Sequence, residues 1–394
     1  MGIFSRTAPP AQRLEPQDAA APSPSTAETI DQRLAAQRRI QQQAKARLGA
    51  EPPVAPSSRG PATVPAEAPA DGAAARLAAL SFSDLMLWPD GRGMLRHAAG
   101  HVGPVIEVPP PFRDDVRRIW TEIRREARGR EFFLSHDGVP YRVARIDTVN
   151  GAGYFLRRPT FPVPALDTLG LPPAMVAALR AIGTQSGMVL MAGATGSGKS
   201  TTIYSFLTDV VSRQGDIAVA VEDPPELPAQ GFYGEGGKGL WYQIDANAVG
   251  GFETAMIAAM RYNPRYLLLG EIRAPKVANE AIRAAVNGHL VLTTIHGSSL
   301  SGAILALQQI AAAGAGSLEL ARSILADGLA AVIHQRLAPD PQRPGQRVLQ
   351  AEMLCIGNDM GLRAKIRAGK LEQLNTDIDA QALRIARGQS PMEM

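Results

Sequence analysis

A chain of 394 residues at about 150 per domain predicts two folded domains with a further segment left over. Hydrophobic residues at 45% and charged residues at 20% supply enough apolar side chain for ordinary cores and exclude wholesale disorder. The formal charge of +4 is mild for this length and does not announce nucleic acid, and a single cysteine, Cys355, excludes an internal disulfide and any cysteine-built zinc or iron–sulfur site. That cysteine usage fits a reducing, intracellular setting. No uninterrupted apolar run reaches the roughly 18 residues needed for a membrane span, and the N-terminus lacks the continuous apolar core of a signal peptide. Met1-Gly2-Ile3-Phe4-Ser5 approaches a myristoylation start, but its serine stands one place too early.

Residues 1–75 hold 11 of the 31 prolines and one aromatic, Phe4, and read as a disordered, partly extended Pro/Ala-rich tail. Within it, Ala27 to Leu48 lacks proline and carries Arg33, Arg38, Arg39, Lys45 and Arg47, the composition of a solvated helix or of a segment that docks on a membrane surface or a partner. Residues 76–160 read as a small α+β domain. Val116, Ile119, Trp120, Ile123 and Ala127 form one stripe at helical spacing, with the arginines at 117, 118, 124, 125 and 128 on the opposite, solvated face. Tyr141 to Ile146 alternates as a strand, and Asn150-Gly151-Ala152-Gly153 reads as a turn into Tyr154-Phe155-Leu156. Pro159, Pro162 and Pro164 mark a short linker.

From about Leu166 onward, helical stretches alternate with short apolar runs: Met188 to Met191, Ile217 to Val221, Tyr266 to Leu269 and Leu290 to Leu292. Such runs are strands buried on both faces, so residues 161–394 predict a doubly wound α/β domain with ligands at the C-terminal strand ends.

Gly193-Ala194-Thr195-Gly196-Ser197-Gly198-Lys199-Ser200 is a complete phosphate-loop pattern, placed after the Met188 to Met191 strand and before the helical Thr201 to Leu207 stretch. Its glycines allow the backbone N–H groups to converge on a triphosphate at a helix N-terminus, Lys199 supplies a cation and the Ser200 hydroxyl can ligate magnesium. Two acidic sets follow apolar strands, Glu222-Asp223-Pro224-Pro225-Glu226 and Gly270-Glu271-Ile272-Arg273. One carboxylate can hold magnesium or its water, while another orients the attacking water. Glu226 reads as a cap or a surface charge, and Glu271, beside three leucines, as a site residue. His289 and His296 bracket the Leu290 to Thr294 strand, either as a phosphate sensor or as satisfied core histidines.

In this order the phosphate loop, the Glu222-Asp223-Pro224 box, Leu267-Leu268-Leu269-Gly270-Glu271-Ile272-Arg273 and the box from Gly288-His289 to His296 resemble the secretion and type IV pilus motor ATPases, in their PilT-like and DotB-like branch. The resemblance spans about residue 81 to the C-terminus and includes Leu362 to Lys370, which looks like a C-terminal arginine-containing motif. It implies a PAS-like first domain, a RecA-like second domain and a homo-oligomer, a hexameric ring, that hydrolyses ATP with Mg2+ in the cytoplasm, peripheral to the inner membrane through a secretion or pilus machine component. It also implies site roles. Gly193, Thr195, Gly196, Ser197, Gly198, Lys199, Ser200 and Thr201 bind nucleotide, Ser200 and Glu271 face the metal, Glu222 activates water and His296 senses phosphate. Arg142 and Arg157 match arginines that contact the γ-phosphate from the first domain.

The single cysteine rules out the tetracysteine zinc insertion of assembly-type relatives. Asn263-Pro264-Arg265, Ala274 and the glycine-rich stretch from Gly231 to Gly239 depart from the family's usual pattern, and the long tail is atypical of pilus retraction ATPases. These features tilt the reading toward a type IV secretion or conjugation motor, with a pilus retraction motor as the alternative. From other classes stand a DNA-translocating motor and a nucleotide-dependent switch or scaffold. Direct nucleic-acid binding is not expected, because aromatics are only 5% of the chain and form no cluster with basic residues in the second domain.

Overall fold

A computed structural model describes residues 75–101, 103–126, 129–340 and 347–392. The predicted tail, with its Ala27 to Leu48 helix, lies outside these residues but for Ala75, as do Ala127 and Arg128 of the predicted helix.

The first sheet is antiparallel, in the order β3-β2-β1-β6-β5-β4, built from Asp84–Leu87 (β1), Gly93–Arg96 (β2), Val105–Glu107 (β3), Glu131–His136 (β4), Val139–Thr148 (β5) and Gly151–Arg157 (β6). One helix, Arg113–Glu126 (α1), packs against it through Val116, Ile119 and Ile123. Each side chain so buried contributes about 1.5–3 kcal/mol relative to exposure. The fully covered Asp115 carboxylate accepts from the Leu77 backbone N–H at 2.7 Å and pairs with Arg118 at 2.9 Å, tying the entering chain to this helix. The predicted turn at Asn150 to Gly153 is shorter than expected, because β6 already begins at Gly151. Gly153 is a strand residue opposite Ile146, and a Cβ there would lie 2.8 Å from the Leu87 carbonyl oxygen. A glycine required by close backbone approach reads in sequence like a turn glycine.

The second sheet has the order β14-β13-β7-β12-β11-β8-β10-β9. Its strands are Gly187–Ala192 (β7), Asp216–Glu222 (β8), Gly231–Tyr233 (β9), Gly239–Asp245 (β10), Tyr266–Leu269 (β11), Leu290–Ile295 (β12), Leu329–Pro339 (β13) and Arg347–Cys355 (β14). β13, β7, β12, β11, β8 and β10 run parallel, and β14 and β9 close the edges antiparallel. The four apolar runs occupy its centre, as their composition predicts. In β7, Met188, Leu190 and Ala192 enter one core, and Val189 and Met191 the other, as period-two alternation between two covered faces requires.

The helices are Pro173–Ile182 (α2), Lys199–Gln214 (α3), Phe252–Arg261 (α4), Pro275–Val286 (α5), Leu300–Ala315 (α6), Leu318–Gly328 (α7), Met360–Arg367 (α8) and Asn375–Ala386 (α9). The stretch from Gly231 to Gly239 is the β9–β10 connection with parts of both strands. At Gly239 a Cβ would lie 2.4 Å from the Val211 carbonyl oxygen, so glycine lets β10 pass close to α3. Arg363 donates to the Gly357 and Asp327 carbonyls at 2.7 and 2.9 Å, and Arg367 pairs with Asp327 at 2.6 Å, so the C-terminal arginines anchor α8 to the end of α7.

Candidate functional site

The loop after β7 folds by glycine. Gly193, Gly196 and Gly198 have φ of 149°, 77° and 87°, and Gly198 is the N-cap of α3. A Cβ at Gly193 would stand 2.3 Å from the Gln335 carbonyl oxygen and 2.7 Å from Ser197 Oγ. Gln335, fully buried on β13, donates through Nε2 to the Ser197 carbonyl at 2.8 Å. It holds the loop from a strand far away in sequence, and nothing local to the loop signals it. Because a side chain in such backbone regions costs of order 1–3 kcal/mol, Gly193→Ala is expected to weaken ATP binding by about tenfold or more. Titration of a fluorescent ATP analogue checks this; unchanged affinity would mean that the loop adapts.

Lys199 Nζ donates to the Gly193 and Ala194 carbonyls at 2.8 and 3.0 Å. Burial lowers the pKa of its ammonium, while Glu271 and Glu226 act in the opposite direction. Ser200 lies beside it in the first turn of α3, with Thr201 next; Thr195 and Gly196 are exposed at the tip of the loop. Both carboxylates and Lys199 therefore share one field around the loop.

Glu222, the last residue of β8, is buried, and both of its oxygens are taken. Oε1 accepts from Tyr204 Oη at 2.5 Å and Oε2 from Gln243 Nε2 at 3.0 Å. Burial raises its pKa to about 7, against the effect of those two donors. Glu226, four residues on, presents a half-exposed carboxylate to Arg142 Nη1 of β5 at 3.5 Å. The acidic residue that reads in sequence as a cap or surface charge thus meets the first sheet, while the one that reads as the water activator is caged.

Glu271 follows β11, where Gly270 N–H donates to the Val221 carbonyl at 3.0 Å. Its Oε2 accepts from Arg273 Nη2 at 2.5 Å, and its Oε1 lies 3.2 Å from His296 Nε2. Pairing with Glu271 is the first cause of the raised Arg273 pKa. His296 therefore stands at the C-terminal end of β12 against an acidic site residue. His289 lies at the other end of that strand, its Nδ1 2.5 Å from the Pro264 carbonyl, and belongs to the satisfied alternative. Thr294 Oγ1 donates to the Gly270 carbonyl at 2.7 Å, fixing β12 to the turn before Glu271.

A cavity of about 240 Å3 gathers most of these groups: Arg142, Ser200, Tyr204, Glu222, Glu226, Glu271, Arg273 and Thr294 line it, while Lys199 and His296 stand outside its lining. Arg157 is not among its lining residues. It stands opposite Arg142 in the β5–β6 register and pairs instead with Asp84 at 3.1 Å. Ser200 and Glu271 lie on the same cavity as hard oxygen donors of the kind that hold Mg2+, Glu271 by exchanging Arg273 and His296 for the ion, and the glycine-built loop at the N-terminus of α3 has the form of an anion site. Among the described residues no helix is long and apolar enough to cross a membrane.

Comparison with known proteins agrees with this architecture. The chain is similar to the protein transport protein HofB homolog of Escherichia coli (strain K12), with 35% identity over 207 residues, 52% of this chain and 41% of that protein. It spans less than half the length of the curated relatives it matches. Among solved structures, the pilus retraction motor PilT with bound ADP superposes with a TM-score of 0.60 and 27% identity, covering 75% of this chain and 85% of PilT. The Legionella pneumophila ATPase DotB shares the fold, with a TM-score of 0.57, 19% identity and coverage of 78% and 89%. The profile of the family described as "Type II/IV secretion system protein" matches residues 129–366, and with the ordered motifs and the PilT-like fold it places the chain in that family.

Proposed function

We propose that this chain is the ATP-hydrolysing subunit of a ring motor that powers a type IV secretion or conjugation machine. The observation that supports it is the convergence, around one cavity, of the phosphate-loop helix, the carboxylates Glu226 and Glu271, and Arg142 from the other sheet. In this reading Gly193, Thr195, Gly196, Ser197, Gly198 and Thr201 cradle the phosphates and Lys199 contacts their β and γ oxygens. Ser200 and Glu271 would hold Mg2+, which when bound would neutralise negative charge on the phosphates. The water oxygen bonds to the γ-phosphorus as the bridging oxygen leaves with ADP, and a carboxylate accepts the water proton.

In the sequence pattern Glu222 is the residue placed to accept that proton. Glu222 lines the cavity too, but its oxygens accept from Tyr204 and Gln243, which moves the assignment to Glu226, on the same cavity and beside Arg142. Arg142 would stabilise transition-state charge, His296 would respond to the γ-phosphate through Glu271, and Arg157 would act only by exchanging Asp84 for nucleotide. Residues 76–160, as a PAS-like domain, and 161–394, as a RecA-like domain, would be the parts whose relative motion does the work. A homo-hexamer, peripheral to the cytoplasmic side of the inner membrane through a machine component, completes the proposal. The likeness to PilT supports pilus retraction as the second reading.

The test is phosphate release from ATP by wild type and Lys199→Ala across a wide range of protein concentration, with and without DNA. Hydrolysis that requires Lys199 and rises in specific activity with concentration supports a ring. Activity that rises with DNA and falls steeply with salt would point to a DNA motor instead. Bound ATP that persists unhydrolysed would point to a switch.

A further inference from the structure

We propose that Gln243 is the positioning residue that locks the acidic loop, and with it Glu226, to the helix carrying Lys199 and Ser200. Resting on the reading of Glu226 above, it deepens that site by naming what holds it in place.

The segment from Asp223 to Gln230 forms no helix or strand, so its course must be fixed by side chains. Leu227 and Ala229 are buried and hold it by apolar contact, which sets its depth but not the direction of its backbone groups. Gln243, on β10, sets the direction. Its Oε1 accepts from the Ala229 and Gln230 N–H groups at 2.7 and 2.9 Å. Its Nε2 donates to the Leu227 carbonyl at 2.8 Å and to Glu222 Oε2 at 3.0 Å, and lies 3.1 Å from Tyr204 Oη. The Gln243 backbone N–H also reaches Gln230 Oε1 at 3.2 Å.

One amide thus spends its full donor and acceptor capacity on both flanks of Glu226: residue 222 before it and residues 227, 229 and 230 after it. Tyr204 belongs to α3, five positions beyond Lys199, and its hydroxyl donates to Glu222 while facing the Gln243 amide. The same node therefore joins the phosphate-loop helix, the end of β8, the acidic loop and β10. Displacements of about 1 Å at a reacting group can cost about a hundredfold in rate, so a clamp on the residue next to Glu226 acts on turnover more than on nucleotide affinity.

The experiment uses the full chain with Gln243→Ala and Gln243→Glu, and reads ATP turnover, affinity for a fluorescent ATP analogue, thermal midpoint and amide hydrogen exchange over residues 223–230. For Gln243→Ala the expected result is a kcat lower by about tenfold to a hundredfold, KM and analogue affinity within about twofold, and faster exchange in the acidic loop but not in the phosphate loop. Gln243→Glu keeps the acceptor side but sets a second carboxyl beside Glu222, where like charges favour sharing a proton. Its turnover, relative to wild type at the same pH, is expected to recover as pH falls from 8 to 6, which a general loss of folding would not produce. Unchanged kcat in active, folded Gln243→Ala overturns the proposal, as does equal loss of kcat and affinity. If wild type itself hydrolyses no ATP, the reading of the site fails by itself; the exchange measurement still decides the clamp, and unaltered exchange over 223–230 overturns it.

Discussion

Glu226→Gln is expected to lower ATP turnover by about 10²–10⁴-fold, the range carried by a positioned general base, with nucleotide affinity within about twofold of wild type. The amide preserves size and a hydrogen-bond acceptor toward Arg142 but cannot take the proton of an attacking water. Glu222→Gln is expected to lose far less, because the Glu222 oxygens are already committed to Tyr204 and Gln243 and a neutral amide can accept from one and donate to the other. Steady-state phosphate release for the two variants, paired with analogue titration, is the measurement. If Glu222→Gln is the silent enzyme and Glu226→Gln the active one, water activation belongs to the buried residue and the roles of the two carboxylates are exchanged.

The second large effect is on stability and is read through pH. Burial raises the pKa of Glu222 from the ordinary 4.5 to about 7, so the folded state favours the protonated acid. The stabilisation this gives is complete below pH 4.5 and is lost as pH rises through about 7. The whole shift corresponds to about 3 kcal/mol between those limits. Glu222→Gln carries no ionisable proton and is expected to be more stable than wild type at pH 8 by an amount that shrinks toward pH 5. His136 trends the same way: burial lowers its pKa, but hydrogen bonds to Glu122 and Asp115 outweigh that and raise it, so its contribution also fades with rising pH. Because that histidine is present in both proteins, the difference between wild type and variant isolates Glu222. Urea midpoints at pH 5 and pH 8 check the prediction, and parallel curves would remove Glu222 as the source of the pH dependence.

Much of the phosphate site was legible in the chain itself because its physics is local. A loop that must bring consecutive N–H groups to one point needs glycines at positive φ, and Gly196 and Gly198 announce this within a few residues of Lys199. The strands were legible for a similar reason: a run such as Tyr266 to Leu269 has no polar face to offer water and is buried on both sides. The glycine-rich stretch at Gly231 to Gly239 was not, since glycines for close packing and glycines for a turn look alike in sequence.

The harder distinctions depended on direction. Glu222 and Glu226 lie four residues apart after the same strand, and composition cannot say which carboxylate turns inward. Tyr204 and Gln243, reached only when β10 pairs with β8, draw Glu222 into the core and leave Glu226 to face Arg142. His289 and His296 bracket one strand, and the parallel sheet puts only His296 at the end where Glu271 stands. Arg142 and Arg157 are partners across two strands, but Asp84 on β1 engages Arg157 away from the cavity, whereas Arg142, held by Glu131 at 3.0 Å, reaches Glu226 on the cavity wall. The sequence by itself determined the α/β architecture, the phosphate loop and the family, because these follow from periodicity and from motifs whose parts are adjacent. Tertiary structure alone decided which carboxylate is held by Tyr204 and Gln243, which one meets Arg142, and what supports the acidic and phosphate loops, because those answers rest on hydrogen bonds from Gln243 and Gln335, whose partners the chain brings together only by folding.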